Sequence, residues 1–121
     1  WREAEERYFS KTGVFPIMHA VGVRKTLLAE HPWLARSLYK AFAEAKELAL
    51  AQLAGGHATG LPWCATELEA TQVTMGGDIW PYGIAANRRS IEALLGWLRH
   101  DGLQARVIDL QEIFAQAVMD T

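Results

Sequence analysis

Cysteine is nearly absent from this chain: Cys64 stands alone among 121 residues. No disulfide can form within it, and cysteine alone cannot build a thiolate zinc site. An excess of charge of one sign is lacking too. Lys and Arg number 12 against 14 Asp and Glu, for a formal net charge of -2, so no broad field attracts nucleic acid or an anionic membrane, and neither is expected as a partner. No run approaches the roughly 18 consecutive apolar residues of a membrane span, and no charged segment followed by an apolar one opens the chain. A cytoplasmic location is the expectation. Glycine-rich phosphate loops, Gly-x-Ser-x-Gly elbows and nucleotide fingerprints are missing as well, which sets those reaction classes aside. His31, His57 and His100 share no HxxxH, HxH or Glu-x-x-His spacing. Neither a metal site nor a cofactor is therefore expected from this chain.

What is present is apolar mass. Half of the residues are hydrophobic, enough for the core of one domain. The chain opens WREAEERYFSKTG without an initiator Met and reads as starting partway through a helix, so a piece of a longer protein is expected. Trp1, Ala4 and Tyr8 at helical spacing, with Gly13 as a stop, make residues 1–11 the tail of that helix. Residues 14–23 are apolar on both alternating faces, the pattern of a strand covered on both sides, with Pro16 favouring a strand start or an edge.

Beyond Glu30-His31-Pro32, the residues Leu34, Leu38, Ala41, Phe42, Ala45, Leu48, Ala49 and Leu53 form a stripe of helical period. That stripe is the expected core face of a long helix ended by Gly55-Gly56. A second helix should open at Pro62 with Leu61, Cys64, Leu68 and Met75 on one face, and end at Gly76-Gly77. Trp80 and Tyr82 then fall in an aromatic loop, DIWPYG. A third helix is expected from Ile84 through Asn87, Ile91, Leu94, Leu95 and Leu98, stopping at His100-Asp101-Gly102. Ala105 to Ile108 reads as a short strand, and Asp109 with Glu112 as a capping-box pair opening the last amphipathic segment. Two strands cannot form an independent sheet, so the pattern of residues 14–23 calls for strand partners from outside this chain.

Three strings combine rare residues at unusual spacing: FPIMH (15–19), HPWLARSLYKAF (31–42) and DIWPYGIAANR (78–88). Together with the intervening sequence they resemble the C-terminal third of the 4,5-dihydroxyphthalate decarboxylase family, over nearly the whole chain. The resemblance implies an α/β fold, the C-terminal part of a two-lobed type 2 periplasmic-binding-protein-like architecture. In that picture residues 1–121 are a single fragment, mainly helical with about two strands. Residues 1–24 would hold a helix end and an interlobe crossover strand, and residues 25–121 a helical return to the first lobe.

The implied activity is decarboxylation of an aromatic dihydroxy dicarboxylic acid, with a small aromatic carboxylate as the partner. The alternative on the same scaffold is a solute receptor that closes on a small carboxylate without chemistry, because sites rather than folds carry activity. His19, on the interlobe strand, would act as proton donor; the opposing reading is a core histidine bonded to backbone. Trp80 and Tyr82 would flank a flat ring, unless they only cap the core. Asn87 sits on the apolar stripe and calls for a polar partner, while Arg88 or Arg89 would hold a carboxylate unless both are solvated surface charges. Trp33, Trp63, Trp97 and Cys64 read as packing residues. Apolar surface left without its sheet would favour a homo-oligomer.

Overall fold

The computed structural model describes residues 1–56 and 60–121. His57, expected in the glycine-rich loop, lies outside the described residues. The order is α1 (Arg2–Thr12), α2 (Lys25–Glu30), α3 (Leu34–Ala54), α4 (Cys64–Met75), α5 (Ile84–His100), α6 (Leu110–Ile113) and a 3-10 turn at Gln116–Val118.

The helix ends follow local chemistry. Gly13 closes α1 in the left-handed region at φ 62°, donating its N–H to the Phe9 carbonyl, a conformation that glycine adopts without steric cost. Its missing side chain also leaves room for Arg89, whose Nη1 would stand 2.7 Å from a Cβ there. That guanidinium donates to the Thr12 carbonyl at 3.0 Å, so α5 caps the C-terminus of α1. Asp109 opens α6 with the expected reciprocal pair: its Oδ1 accepts from the Gln111 N–H and its own N–H donates to Glu112 Oε1, both at 3.0 Å. The helix that follows, Leu110–Ile113, is a single turn, and the rest of the expected amphipathic segment holds a 3-10 turn at Gln116–Val118.

Ile84, Ile91 and Leu110 are buried together, with Leu95, Phe114, Val118 and Met119 packed around them. This joins the apolar face of α5 to the C-terminal turns, while the 3-10 turn and α4 pack on α3, and α1 packs on α4. Each fully buried aliphatic side chain is worth about 1.5–3 kcal/mol, so this small cluster carries much of the described packing.

The expected α/β architecture is not found. The described residues contain helices and no strand, so neither a sheet nor a crossover strand at 14–23 exists here, nor a strand at 105–108. A strand is defined by its ladder of hydrogen bonds to a neighbour, and none of the described residues offers one. Residues 14–23 have no regular structure, with Ile17, Met18 and Val21 exposed instead of doubly covered. The stripe expected to face the core on α3 is also largely outside: Phe42 and Leu48 are exposed, while Tyr39, Ala43, Lys46 and Leu50 turn inward. Trp33, Trp63 and Trp97, expected as packing residues, are exposed as well.

These departures share one measure. The chain exposes 9241 Å², whereas a compact monomer of 13.5 kDa exposes roughly 6,500 Å² by the scaling of surface with mass. Ile17, Val21, Phe42 and Leu48, which periodicity assigned to a core, are among the exposed side chains. No helix among the described residues is long and apolar enough to cross a membrane.

Candidate functional site

The aromatic loop is bounded by glycines in conformations that side chains rarely adopt. Gly76 ends α4 at φ 93°, and Gly83 leads into α5 at φ 95° and ψ 170°. At Gly83 a Cβ would lie 2.7 Å from the Thr121 carbonyl carbon, and the Thr121 carbonyl accepts the Ala85 N–H at 2.5 Å. Backbone from the far end of the chain is thus pressed against the loop, and only glycine leaves space for it.

Between these glycines, Asp78 folds back on the loop, its Oδ1 accepting the Trp80 N–H at 3.2 Å. Lys46, on the inner face of α3, donates to both oxygens of the same carboxylate, at 3.1 and 2.9 Å. Its side chain is only 10% exposed, and its ammonium lies 5.2 Å from the centre of the Tyr82 ring, within cation–π range. Burial pulls the Lys46 pKa down, but the hydrogen bonds and charges of Asp78 and Glu47 outweigh it and leave the group above its ordinary value. It is therefore an ammonium at neutral pH.

Asn87 holds the other side of the loop. Its Nδ2 donates to the Pro81 and Gly83 carbonyls at 2.7 and 2.9 Å, which supplies the polar partner its place on the apolar stripe called for. Both amide protons are thereby spent on backbone. Trp80 remains half exposed, with Phe15 meeting it edge-on at 5.8 Å between ring centres and 67° between planes.

Trp80, Tyr82 and Asn87 are thus brought together. His19 is not tied to them: it is exposed on the irregular segment, four residues beyond Phe15, and its side chain makes no hydrogen bond, ion pair or ring contact among the described residues. Arg88 points elsewhere, pairing with Glu92 at 3.5 Å and lining a groove of about 350 Å³ with Arg99, Gln104 and Val107. Gln104 Oε1 is buried beside that groove without a hydrogen-bond partner among the described residues. Arg89 is engaged in capping α1. Among the described residues no group of three or more His, Cys, Asp and Glu side chains gathers where a metal could bind.

Sequence reasoning missed Lys46 and Asp78. A signal existed: Tyr39, Ala43, Lys46 and Leu50 recur at helical spacing, and this face, taken in place of the Phe42 and Leu48 stripe, would have turned a cation inward.

No family model matches the chain. It is 36% identical over 122 aligned residues to the 4,5-dihydroxyphthalate decarboxylase of Comamonas testosteroni, an alignment that takes in 99% of this chain and 37% of that relative. The resemblance read in FPIMH, HPWLARSLYKAF and DIWPYGIAANR is borne out, in the form of a match to the C-terminal portion of that protein. The chain spans little more than a third of the relative's length.

Proposed function

We propose that this chain forms part of a carboxy-lyase acting on an aromatic dihydroxy dicarboxylate of the 4,5-dihydroxyphthalate type. The observation that carries the reading is 36% identity along 99% of the chain to a protein named for that decarboxylation. The reaction adds a proton to the ring carbon that bears a carboxylate. The electrons of the bond to that carboxylate then return to the ring as carbon dioxide departs, and the product is 3,4-dihydroxybenzoate. A hydroxyl para to the departing group stabilises the dearomatised intermediate, so the protein's task is to supply a proton, fix the ring and hold the second carboxylate.

In this reading His19 supplies the proton and Trp80 and Tyr82 flank the ring, while Arg88 holds a carboxylate through its fork of N–H donors only by leaving its pair with Glu92. Asn87 serves the site through the loop it pins and not through ligand contact, because its amide protons are already engaged. A half-exposed Trp80 on a loop anchored at both ends supports the ring-binding role. The test is to mix the full-length protein with 4,5-dihydroxyphthalate, with and without chelator, and follow carbon dioxide and 3,4-dihydroxybenzoate by chromatography. Release of both in equal amounts is expected; binding of the diacid without turnover would overturn the lyase reading.

A further inference from the structure

We propose that Lys46 and Asp78 are positioning residues that set the angle between the Trp80 and Tyr82 rings, so that α3 determines how tightly the loop grips an aromatic dicarboxylate. The inference rests on the reading of that loop as the ring-binding site. A mostly buried ammonium is retained only where it is paired; Glu47 on α3 lies 3.5 Å away, and the nearer carboxylate, Asp78 at 2.9 Å, belongs to the loop. Asp78 takes two hydrogen bonds from Lys46 and a third from the backbone N–H of Trp80. The same ammonium lies against Tyr82. One charge pair therefore touches both members of the platform, one through its backbone and the other through its ring face. Asn87 fixes Pro81 and Gly83 from α5, leaving the residues between Asp78 and Pro81 to be set from the α3 side.

Neither Lys46 nor Asp78 contacts the reacting atoms in this scheme. Their loss should weaken the hold on ground state and transition state alike, which raises KM and leaves kcat within a fewfold of its starting value. In the full-length protein, Lys46→Met keeps the apolar stem and removes the charge. Asp78→Asn keeps an oxygen for the Trp80 N–H and removes the charge. Each should raise KM for 4,5-dihydroxyphthalate about tenfold, the double variant should be no worse than the poorer single one, and Lys46→Arg should recover most of the loss. The Trp80 indole N–H resonance should shift in both single variants while those of Trp33 and Trp97 stay in place.

An unchanged KM in Lys46→Met and Asp78→Asn, with the parent protein active, overturns the proposal. So does a parallel fall in kcat that Lys46→Arg does not rescue. Should the parent protein show no turnover, the lyase reading fails first. The clamp is then decided by the indole resonance, where a shift confined to Trp80 upholds it and a fixed Trp80 line overturns it.

Discussion

Residues 14–23 and residues 76–83 are both short, both rich in large apolar side chains and both without regular structure, yet they differ in what their polar groups find. In the loop at 76–83 the neighbouring chain answers those groups: Lys46 meets Asp78, the Asp78 carboxylate takes the Trp80 N–H, and Asn87 takes two carbonyls. Among the described residues the segment at 14–23 has none of this beyond its first residues, where Val14 is buried and donates its N–H to the Thr12 hydroxyl, and Phe15 meets Trp80. From Ile17 to Gly22 its residues are exposed, Ile17, Met18 and Val21 among them. Apolar content does not make a segment rigid; satisfied hydrogen bonds and a partner surface do.

The strongest challenge to this contrast is chemical. If the unpartnered segment carries the proton donor, His19→Gln in the full-length protein should lower kcat by about 10²–10⁴-fold, the usual span for loss of a general acid. Unchanged turnover with unchanged folding would remove His19 from the mechanism and leave chemistry to the clamped region alone. Next in size is the core beside the loop. Ile91→Ala, which empties a site in the buried cluster, should cost about 2–4 kcal/mol in urea unfolding.

Gly83→Ala should cost about 1–3 kcal/mol, because φ 95° is strained for a side chain and Thr121 occupies the space. A smaller and pH-dependent effect falls at α6. Hydrogen bonding from Arg106, followed by that from the Asp109 backbone, lowers Glu112 from 4.5 to about 2. A carboxyl depressed in the folded state stabilises it above the unfolded pKa and loses that contribution as pH falls through the folded one. The cap should therefore hold above about pH 4.5 and weaken toward pH 2, seen as a drop in amide protection at Asp109 that Glu112→Gln already shows at neutral pH. Smallest of all, Met18→Ala should change the stability of this chain by no more than about 0.5 kcal/mol, as at other exposed positions. A larger loss would show that the segment at 14–23 is packed after all.

Much of the helical framework was legible in the chain. The stop at Gly13, the glycine-bounded loop, the span and inner face of α5, and the Asp109 capping pair all follow from interactions within a few residues, which a linear reading can see. The candidate site was legible in part. Trp80, Tyr82 and Asn87 come together because they lie within one loop and the first turn after it. Lys46 was not legible, since it reaches Asp78 across 32 residues of chain and, as a charged residue at the edge of the apolar stripe on α3, is not picked out by periodicity.

The sequence by itself determined the glycine stops of α1, α3 and α4, the span of α5, the Asp109 cap, and the likeness to a decarboxylase carried by its rare strings. Those properties depend on backbone sterics and on neighbours along the chain. Only the tertiary structure decided which face of α3 turns inward, that residues 14–23 meet no strand partner among the described residues, and that a lysine on one helix grips the loop between two others. Hydrophobic burial and strand pairing are non-directional along the sequence: a run of apolar residues specifies that a partner is wanted, and the arrangement of the other elements specifies whether one is met.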